Sequence, residues 1–161
     1  MRFKICLAAA AAALCLCSCS SQSGAKPCDV DEKFESEVTI TQSGKEYHAK
    51  LSRADADIWE MDFSKPDTVS GMKLTLSGNV CTLEMNGLKY ELDRGELSRS
   101  SMASLCCGAM ESLISKSDIT CSKDGDTVTE KGTVSGHDFT AVFDDGKLKE
   151  LTVSDQLRCE F

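Results

Sequence analysis

Histidine is scarce in this 161-residue sequence, which contains only His48 and His137, far apart along the chain. Because histidine is the commonest general base at neutral pH, the scarcity disfavours a serine or cysteine nucleophile. The sequence also lacks a GxSxG elbow, a phosphate-binding glycine loop, an acidic loop of calcium-binding length and the cysteine spacing of a zinc site. We therefore predict no catalytic residues, no metal site and no cofactor, and we do not expect an enzyme.

Positive charge is in the minority. The sequence has 18 Lys and Arg against 26 Asp and Glu, a net charge of −8. Such a surface repels the phosphates of nucleic acids and of anionic lipids, so no nucleic-acid partner is expected. An acidic excess of this size is typical of a surface that keeps a protein soluble.

A long apolar run occurs once, from Ile5 to Leu16, just after Arg2 and Lys4. Basic residues followed by an apolar run of this length are typical of an export signal, and the run is too short for a stable membrane span. We therefore predict that residues 1–18 are a signal peptide and that the protein is exported.

The signal is predicted to end at a lipid-attachment site, because Leu16-Cys17-Ser18-Cys19 resembles the bacterial lipobox. In a lipobox a small residue precedes the cysteine that receives diacylglycerol. Cys19 is thus the predicted anchor to a bacterial membrane, on the extracytoplasmic face of the cell envelope. Ordinary cleavage that leaves an unmodified cysteine is the alternative. Residues 19–27 show no apolar periodicity and are interpreted as a polar tether.

Residues 28–161 have the length of a single domain, which can bury a core without a metal or a disulfide. They contain six cysteines: Cys28, Cys81, Cys106, Cys107, Cys121 and Cys159. In an exported protein an even number of cysteines permits disulfides in fifteen pairings, and small apolar core residues are the alternative. Cys106 and Cys107 point ~100° apart on a helix, so a bond between them would distort it.

From residue 34 to residue 93 apolar residues recur at every second position, which predicts six strands in one antiparallel meander. Asn86-Gly87 is the clearest hairpin turn among them. Three more strands are predicted at residues 127–135, 137–144 and 147–154. Residues 156–161 are expected to add a short edge strand.

Between these two groups of strands, residues 102–114 predict the one convincing helix, with Ser100 or Ser101 as its cap. The apolar arc of this helix is roughly 200° wide, about twice the width that a helix on a flat sheet needs. The expected fold class is therefore α+β, mainly antiparallel β, with a strongly curved sheet, an incomplete barrel, that covers a central helix.

Methionine and aromatic residues are concentrated on the predicted inward rows. The residues concerned are Trp59, Met61, Phe63, Met72, Met85, Met102 and Met110. Because methionine adapts its shape easily, these seven residues are predicted to line a cavity for acyl chains between sheet and helix. The alternative is that they fill gaps in an ordinary core.

The pattern as a whole resembles the bacterial lipoprotein-carrier superfamily, the LolA/LolB-like proteins and their lipoprotein relatives. The resemblance is carried by the strand from Phe34, the run from Trp59 to Pro66, the Asn86-Gly87 hairpin, the helix, and the strands around Asp144-Asp145-Gly146. It implies an incomplete antiparallel barrel with an apolar concave face, and non-covalent handling of a lipid or an acylated protein. Cys19 makes the chain more similar to the anchored members than to the soluble carrier.

Two functions follow as expectations. The first is an envelope lipoprotein that binds a hydrophobic ligand, a lipid or an acylated protein, in the concave face of the sheet. The second is a structural or interaction lipoprotein with a filled core, which acts through a protein partner of unknown identity. A hydrolase would need His48 or His137 to face a nucleophile, and neither the spacing nor the neighbours of these histidines indicates one.

Overall fold

The computed structural model describes residues 25–161. The predicted signal peptide, the predicted anchor Cys19 and the tether as far as residue 24 lie outside these residues. From residue 25 to residue 33 the chain contains neither helix nor strand.

The described residues form one antiparallel sheet of eleven strands and one α-helix, α1, at Met102–Ser115. A single turn of 3-10 helix at Arg94–Glu96 precedes α1. The strands are β1 (Phe34–Gln42), β2 (Lys45–Asp55), β3 (Ile58–Lys65), β4 (Lys73–Ser77), β5 (Val80–Met85), β6 (Leu88–Asp93), β7 (Thr120–Asp124), β8 (Thr127–Val134), β9 (His137–Asp144), β10 (Lys147–Val153) and β11 (Leu157–Glu160). The predicted class, mainly antiparallel β with one helix, is confirmed at this level.

Along the chain, the first six strands run from the centre of the sheet to one edge, and the last five run from the opposite edge back to the centre. Strands β1 to β6 follow one another to one edge, and β7 to β11 return from the other edge until β11 pairs with β1, Ile40 opposite Cys159. The sheet is not closed into a barrel, since β6 and β7 are its two edges. The expectation of an edge strand at residues 156–161 is therefore wrong. The crossover through α1 starts the second half at the far edge, so its last strand reaches the centre.

The turn motifs confirm the hairpins predicted from them. Asn86 and Gly87 have φ angles of 52° and 77°, and Asp145 and Gly146 have φ angles of 49° and 73°. Two successive residues with positive φ match the twist of the strands that they join, which is why Asn-Gly and Asp-Gly are favoured in such two-residue loops.

The helix begins and ends at identifiable caps. Ser101 is the N-cap, and its side chain accepts a hydrogen bond from the Ser104 N–H. Lys116 ends the helix in the left-handed conformation, with φ 54°. Strand β7, which follows, was not predicted, because its sequence TCSKD has no apolar alternation and it pairs only with β8.

We call the face of the sheet that carries α1 the inner face. Its residues alternate along each strand with residues of the opposite, outer face. One row of cross-strand neighbours on the inner face is Arg53, Trp59, Leu76, Cys81 and Leu92. The next row is Leu51, Met61, Leu74, Leu83 and Tyr90. Leu51 and Met61 are fully buried whereas Tyr90 is exposed, so the second row runs from the core out to solvent.

Candidate functional site

Helix α1 packs against the inner face of both halves of the sheet. Cys106 lies with its Sγ 3.8 Å from the Sγ of Cys159 on β11. Gly108 allows a close approach to β8, since a Cβ at this position would lie 2.6 Å from Cγ2 of Val134. On the other half of the sheet, the Glu111 carboxylate reaches β2 and β3. The helix therefore connects strands that are distant from each other in the sheet order.

A polar network fixes the C-terminal half of α1 to the inner face. Arg53 Nε donates to Oε1 of Glu111 at 2.8 Å, and Arg53 Nη2 donates to Oε2 at 3.2 Å. The indole Nε1 of Trp59 donates to the same Oε1 at 2.7 Å, and Arg53 Nη1 donates to the Glu32 carbonyl at 2.7 Å. Side-chain exposure is 9% for Arg53 and 27% for Glu111, so water competes only weakly for these hydrogen bonds.

The network also sets the protonation of its members. Burial opposes ionisation of Glu111, but the hydrogen bonds from Arg53 and Trp59 outweigh it, and the pKa of Glu111 is lowered. The hydrogen bond to Glu111 raises the pKa of Arg53, against the opposing effect of its own burial. Both side chains are thus charged at neutral pH, and the pair attaches the helix electrostatically.

Of the seven predicted cavity residues, four lie on inner-face positions of β3 and β5, two lie on α1, and Met72 directly precedes β4; they differ in exposure. Trp59, Met61 and Met110 are fully buried, and Phe63 is 6% exposed. The other three, Met72, Met85 and Met102, are half-buried. Of the two surface grooves described below, one includes a predicted cavity residue, Met85, and the other includes none. The four most buried residues therefore lie inside the packed core in this conformation.

A set of apolar side chains on β4 to β6 and just before them continues the inner face beyond the helix. We call it the apolar shelf. Its members are Met72, Leu74, Leu83, Met85, Leu88 and Tyr90. Four of them are half-buried, whereas Leu88 is 77% exposed and Tyr90 is 65% exposed. The shelf shares its face with the fully buried Leu76 and Cys81, so it is an uncovered extension of the core.

A groove of about 450 Å³ opens at the end of the shelf, around the Asn86-Gly87 turn. Met85 and Leu88 contribute apolar surface to it, and Lys73, Glu84 and Lys89, which are cross-strand neighbours on the outer face, contribute charge. Its volume lies in the range of small-molecule sites, roughly 300–1,000 Å³. The two lysines are already paired with carboxylates, Lys73 with Glu60 at 3.1 Å and Lys89 with a glutamate of its own strand at 2.9 Å.

A second apolar groove, of about 490 Å³, lies at the other half of the inner face. Phe34, Phe143 and Phe161 line it together with Val30 and Leu148. The rings of Phe34 and Phe161 meet edge to face with centroids 5.9 Å apart. Aspartates, lysines and a glutamate form the rim of this groove, so an apolar occupant would have to pass charged groups.

Glu130 is a buried carboxyl group on the inner face of β8. It is fully buried, its Oε1 accepts the backbone N–H of Cys28 at 2.5 Å, and its Oε2 has no hydrogen-bond partner. Burial raises the pKa of Glu130, and the Cys28 hydrogen bond and the charge of Lys116 oppose this only in part. The segment before β1 is thus attached to the sheet through an acid that folding disfavours in its charged form.

The sequence reasoning missed Arg53, Glu111 and Glu130. The signal was present for two of them, because Arg53 follows Ala49 and Leu51 in an inward row, and Glu130 follows Val128. A charged residue at an inward position must find a partner or lose its charge. Nothing in the sequence indicates that Arg53 and Glu111, 58 positions apart, would be partners.

The histidines lie apart and outside the apolar surfaces. His48 on β2 is 3.0 Å from Glu46, and His137 begins β9. Among residues 25–161 no group of three or more histidine, cysteine or acidic side chains is placed to hold a metal ion. Over the same range no helix has both the length and the apolar character needed to cross a membrane.

The sequence matches no protein-family model, and no curated protein is significantly similar to it.

Proposed function

We propose that this protein is a lipid-anchored protein of the bacterial cell envelope that binds an apolar ligand on the inner face of its sheet. The ligand is a lipid, or the acyl chains of an acylated protein. It is held non-covalently, without catalysis, metal or cofactor. The observation that carries this proposal is the apolar shelf, an uncovered extension of the core on which Leu88 and Tyr90 are 77% and 65% exposed.

The composition of the shelf suits acyl chains. Contiguous exposed apolar surface next to a core marks an interaction site more often than chance exposure of single residues does. Met72 and Met85 can adjust their rotamers to a flexible chain. Tyr90 offers an apolar ring with a polar tip, as is usual where an apolar ligand meets water.

We take the sheet to be strongly curved, with the helix and the shelf on its concave side. Twisted open sheets rarely exceed ~10 strands without curling, and this sheet has eleven. An incomplete barrel of this kind is also what the resemblance to the LolA/LolB-like superfamily implies. We propose that the chain is a membrane-anchored relative of those proteins.

The predicted cavity residues differ in when a ligand can contact them. A ligand first contacts Met72 and Met85, which are half-buried on the shelf. Trp59 and Met61 become accessible only if the C-terminal half of α1 leaves the inner face, which breaks the hydrogen bonds of Glu111 to Arg53 and Trp59. The shelf is thus the entrance, and the buried residues are further surface that movement of the helix would expose.

Photo-cross-linking in cells tests the proposal. The full chain is expressed in a lipoprotein-exporting bacterium that is fed a palmitate analogue carrying a diazirine and an alkyne, irradiated, purified and mapped by mass spectrometry. We expect labelled peptides that carry shelf residues, between Met72 and Tyr90. Leu83→Glu should reduce this label about tenfold or more, since placing a carboxylate against an acyl chain costs at least 1.4 kcal/mol. Thr82→Glu, on the outer face of the same strand, should leave the label unchanged.

The experiment contains its own controls. Label on the peptide that carries Cys19 reports lipidation, and Cys19→Ala should remove it. An adduct with the mass of a lipid identifies a free lipid as the ligand, and an adduct with the mass of a second protein identifies an acylated protein. If Cys19 is labelled but no peptide between Met72 and Tyr90 is, the shelf does not bind acyl chains and the proposal is wrong.

A protein partner that does not use acyl chains is the second candidate, and strand β6 is the observation that favours it. β6 is an edge of the sheet, and its outer-face residues Lys89 and Glu91 alternate with shelf residues. An extended segment of another protein can add to such an edge through backbone hydrogen bonds. Replacing Glu91 with proline would prevent this pairing without changing the shelf, and loss of a co-purifying protein in that variant alone would favour the partner.

A further inference from the structure

The six cysteines of the described chain are all free thiols in the structure, and two of them lie in contact. Cys106 and Cys159 are both fully buried, and their sulfur atoms are 3.8 Å apart. Cys106 lies on α1 and Cys159 on β11, at the centre of the sheet. A disulfide has an S–S distance of about 2.05 Å, so roughly 1.8 Å of approach, within reach of small side-chain rotations, would join them.

The alternative partners of Cys106 are less well placed. Cys107 is its neighbour on the helix and points ~100° away around the axis. Cys159 makes its closest sulfur contact with Cys106, which raises the pKa of the Cys159 thiol together with burial. Cys28 and Cys121 are both neighbours of Glu130, Cys28 through its backbone N–H and Cys121 as the cross-strand residue on β7.

We propose that Cys106 and Cys159 form a disulfide that ties α1 to β11. The thiolate of one cysteine attacks a disulfide of an exported thiol–disulfide oxidoreductase or of oxidised glutathione. The second thiolate then attacks the mixed disulfide, so that the two cysteine sulfurs are oxidised and the oxidant leaves as two thiols. Both sulfurs are buried in the folded chain, so the bond forms while the helix docks. This inference rests on the proposed function in one respect, because the protein must be exported to meet such an oxidant in the cell.

The bond would limit which part of the helix can move. Cys106 lies in the first half of α1, while Glu111 holds the second half on β2 and β3 by hydrogen bonds alone. An oxidised protein can therefore release the second half of the helix and keep the first half on β11. Opening of the inner face is then directed toward β3 and the apolar shelf.

A second pair is carried by separate geometry. Cys121 lies directly opposite Glu130 in the β7–β8 register, so the two side chains share the inner face. The backbone N–H of Cys28 is 2.5 Å from the carboxylate of that same Glu130. We infer that Cys28 and Cys121 form a second disulfide, which ties the segment before β1 to the edge strand β7.

Disulfide mapping of the full chain tests both bonds. The chain, solubilised in mild detergent, is refolded from denaturant in a glutathione redox buffer, its free thiols are alkylated under denaturing conditions, and its peptides are mapped without reduction. We expect the peptide containing Cys159 to be linked to the peptide containing Cys106. The Cys107→Ala variant should retain this link, which assigns it to Cys106, and the peptide containing Cys121 should be linked to that containing Cys28.

The proposed Cys106–Cys159 bond is wrong if Cys159 is found alkylated or is linked to a cysteine other than Cys106. The proposed Cys28–Cys121 bond is wrong if Cys121 is found alkylated or is linked to a cysteine other than Cys28. Refolding supplies the oxidant in the test tube, so the result does not depend on export or on acyl-chain binding. A protein that forms the Cys106–Cys159 bond but gives no cross-link at the shelf would contradict the proposed function and leave this inference intact.

Discussion

Replacement of Arg53 by methionine tests whether the network around Glu111 holds the helix on the sheet. Methionine keeps most of the volume of the arginine stem but removes its three hydrogen bonds, at 2.8, 3.2 and 2.7 Å. The Glu111 carboxylate is then left with the Trp59 indole as its one protein donor. We expect Arg53→Met to lower the free energy of unfolding and to loosen the second half of α1.

The magnitude follows from burial. Breaking a fully buried ion pair costs about 3–5 kcal/mol, and a hydrogen bond to a charged group contributes about 1.5–3 kcal/mol. Since the Glu111 side chain is 27% exposed, water can replace part of what it loses. We therefore expect a loss of about 2–3 kcal/mol, which for a domain of this size lowers the melting temperature by about 6–12 °C.

The loss should also depend on pH. The pKa of Glu111 is lower in the folded protein than in the unfolded chain, so its ionised form adds stability above its ordinary pKa. This stability is lost as the pH falls through the folded pKa. The difference between Arg53→Met and the wild type should accordingly be full at neutral pH and should shrink in acid.

Urea unfolding followed by tryptophan fluorescence is the assay, because Trp59 is the only tryptophan and is fully buried. Circular dichroism gives a second, independent signal. Lys50→Met is the matched control, since it removes an exposed pair with Glu35 and should leave the midpoint unchanged. A loss below about 1 kcal/mol in Arg53→Met, or one that does not shrink in acid, would refute the reasoning.

Three further predictions concern other residues of the inner face. Glu130→Gln should stabilise the protein by about 1–2 kcal/mol at neutral pH, because it removes the charge of a carboxyl group whose pKa is raised by burial. The gain should vanish in acid, where the native Glu130 is itself neutral, and urea unfolding at neutral and at acidic pH measures it. Gly108→Ala should destabilise the protein by about 1–3 kcal/mol although alanine favours a helix more than glycine does, since the new Cβ lies 2.6 Å from Cγ2 of Val134. Val134→Ala in the same chain should restore the unfolding midpoint. A single Gly108→Ala variant that is more stable than the wild type would contradict this contact. Tyr90→Lys should leave the unfolding midpoint unchanged, because Tyr90 is 65% exposed, but should reduce photo-cross-linking at the shelf; an equal loss of stability would show that Tyr90 belongs to the core.

The elements that were predicted correctly are those whose signals are local. Asn86-Gly87 and Asp145-Gly146 adopt positive φ values that other residue pairs reach only at a cost, so the turn is specified by two adjacent residues. Ser101 caps the helix through its own side chain. In each case the residues that determine the structure are neighbours in the sequence.

The features that were missed depend on residues distant in sequence. β7 is a strand because its backbone pairs with β8, although its side chains give no alternating pattern. β11 is central because the crossover brings it beside β1. The exposure of the shelf also could not be predicted, since Met72 and Met61 look alike in the alternation, although Met61 is fully buried and Met72 is half-buried.

The composition of β6 supports the proposed apolar ligand over a partner that contacts only the charged surface. On β6 the outer-face residues Lys89 and Glu91 are charged, as is expected for an edge strand that must avoid pairing with other chains. The inner-face residues Leu88 and Tyr90 of the same strand are equally close to water, yet they remain apolar. If solubility alone determined β6, both faces would carry polar side chains, because nothing in the described chain covers either of them. An apolar inner face on an otherwise charged edge strand is what the proposed apolar ligand would require.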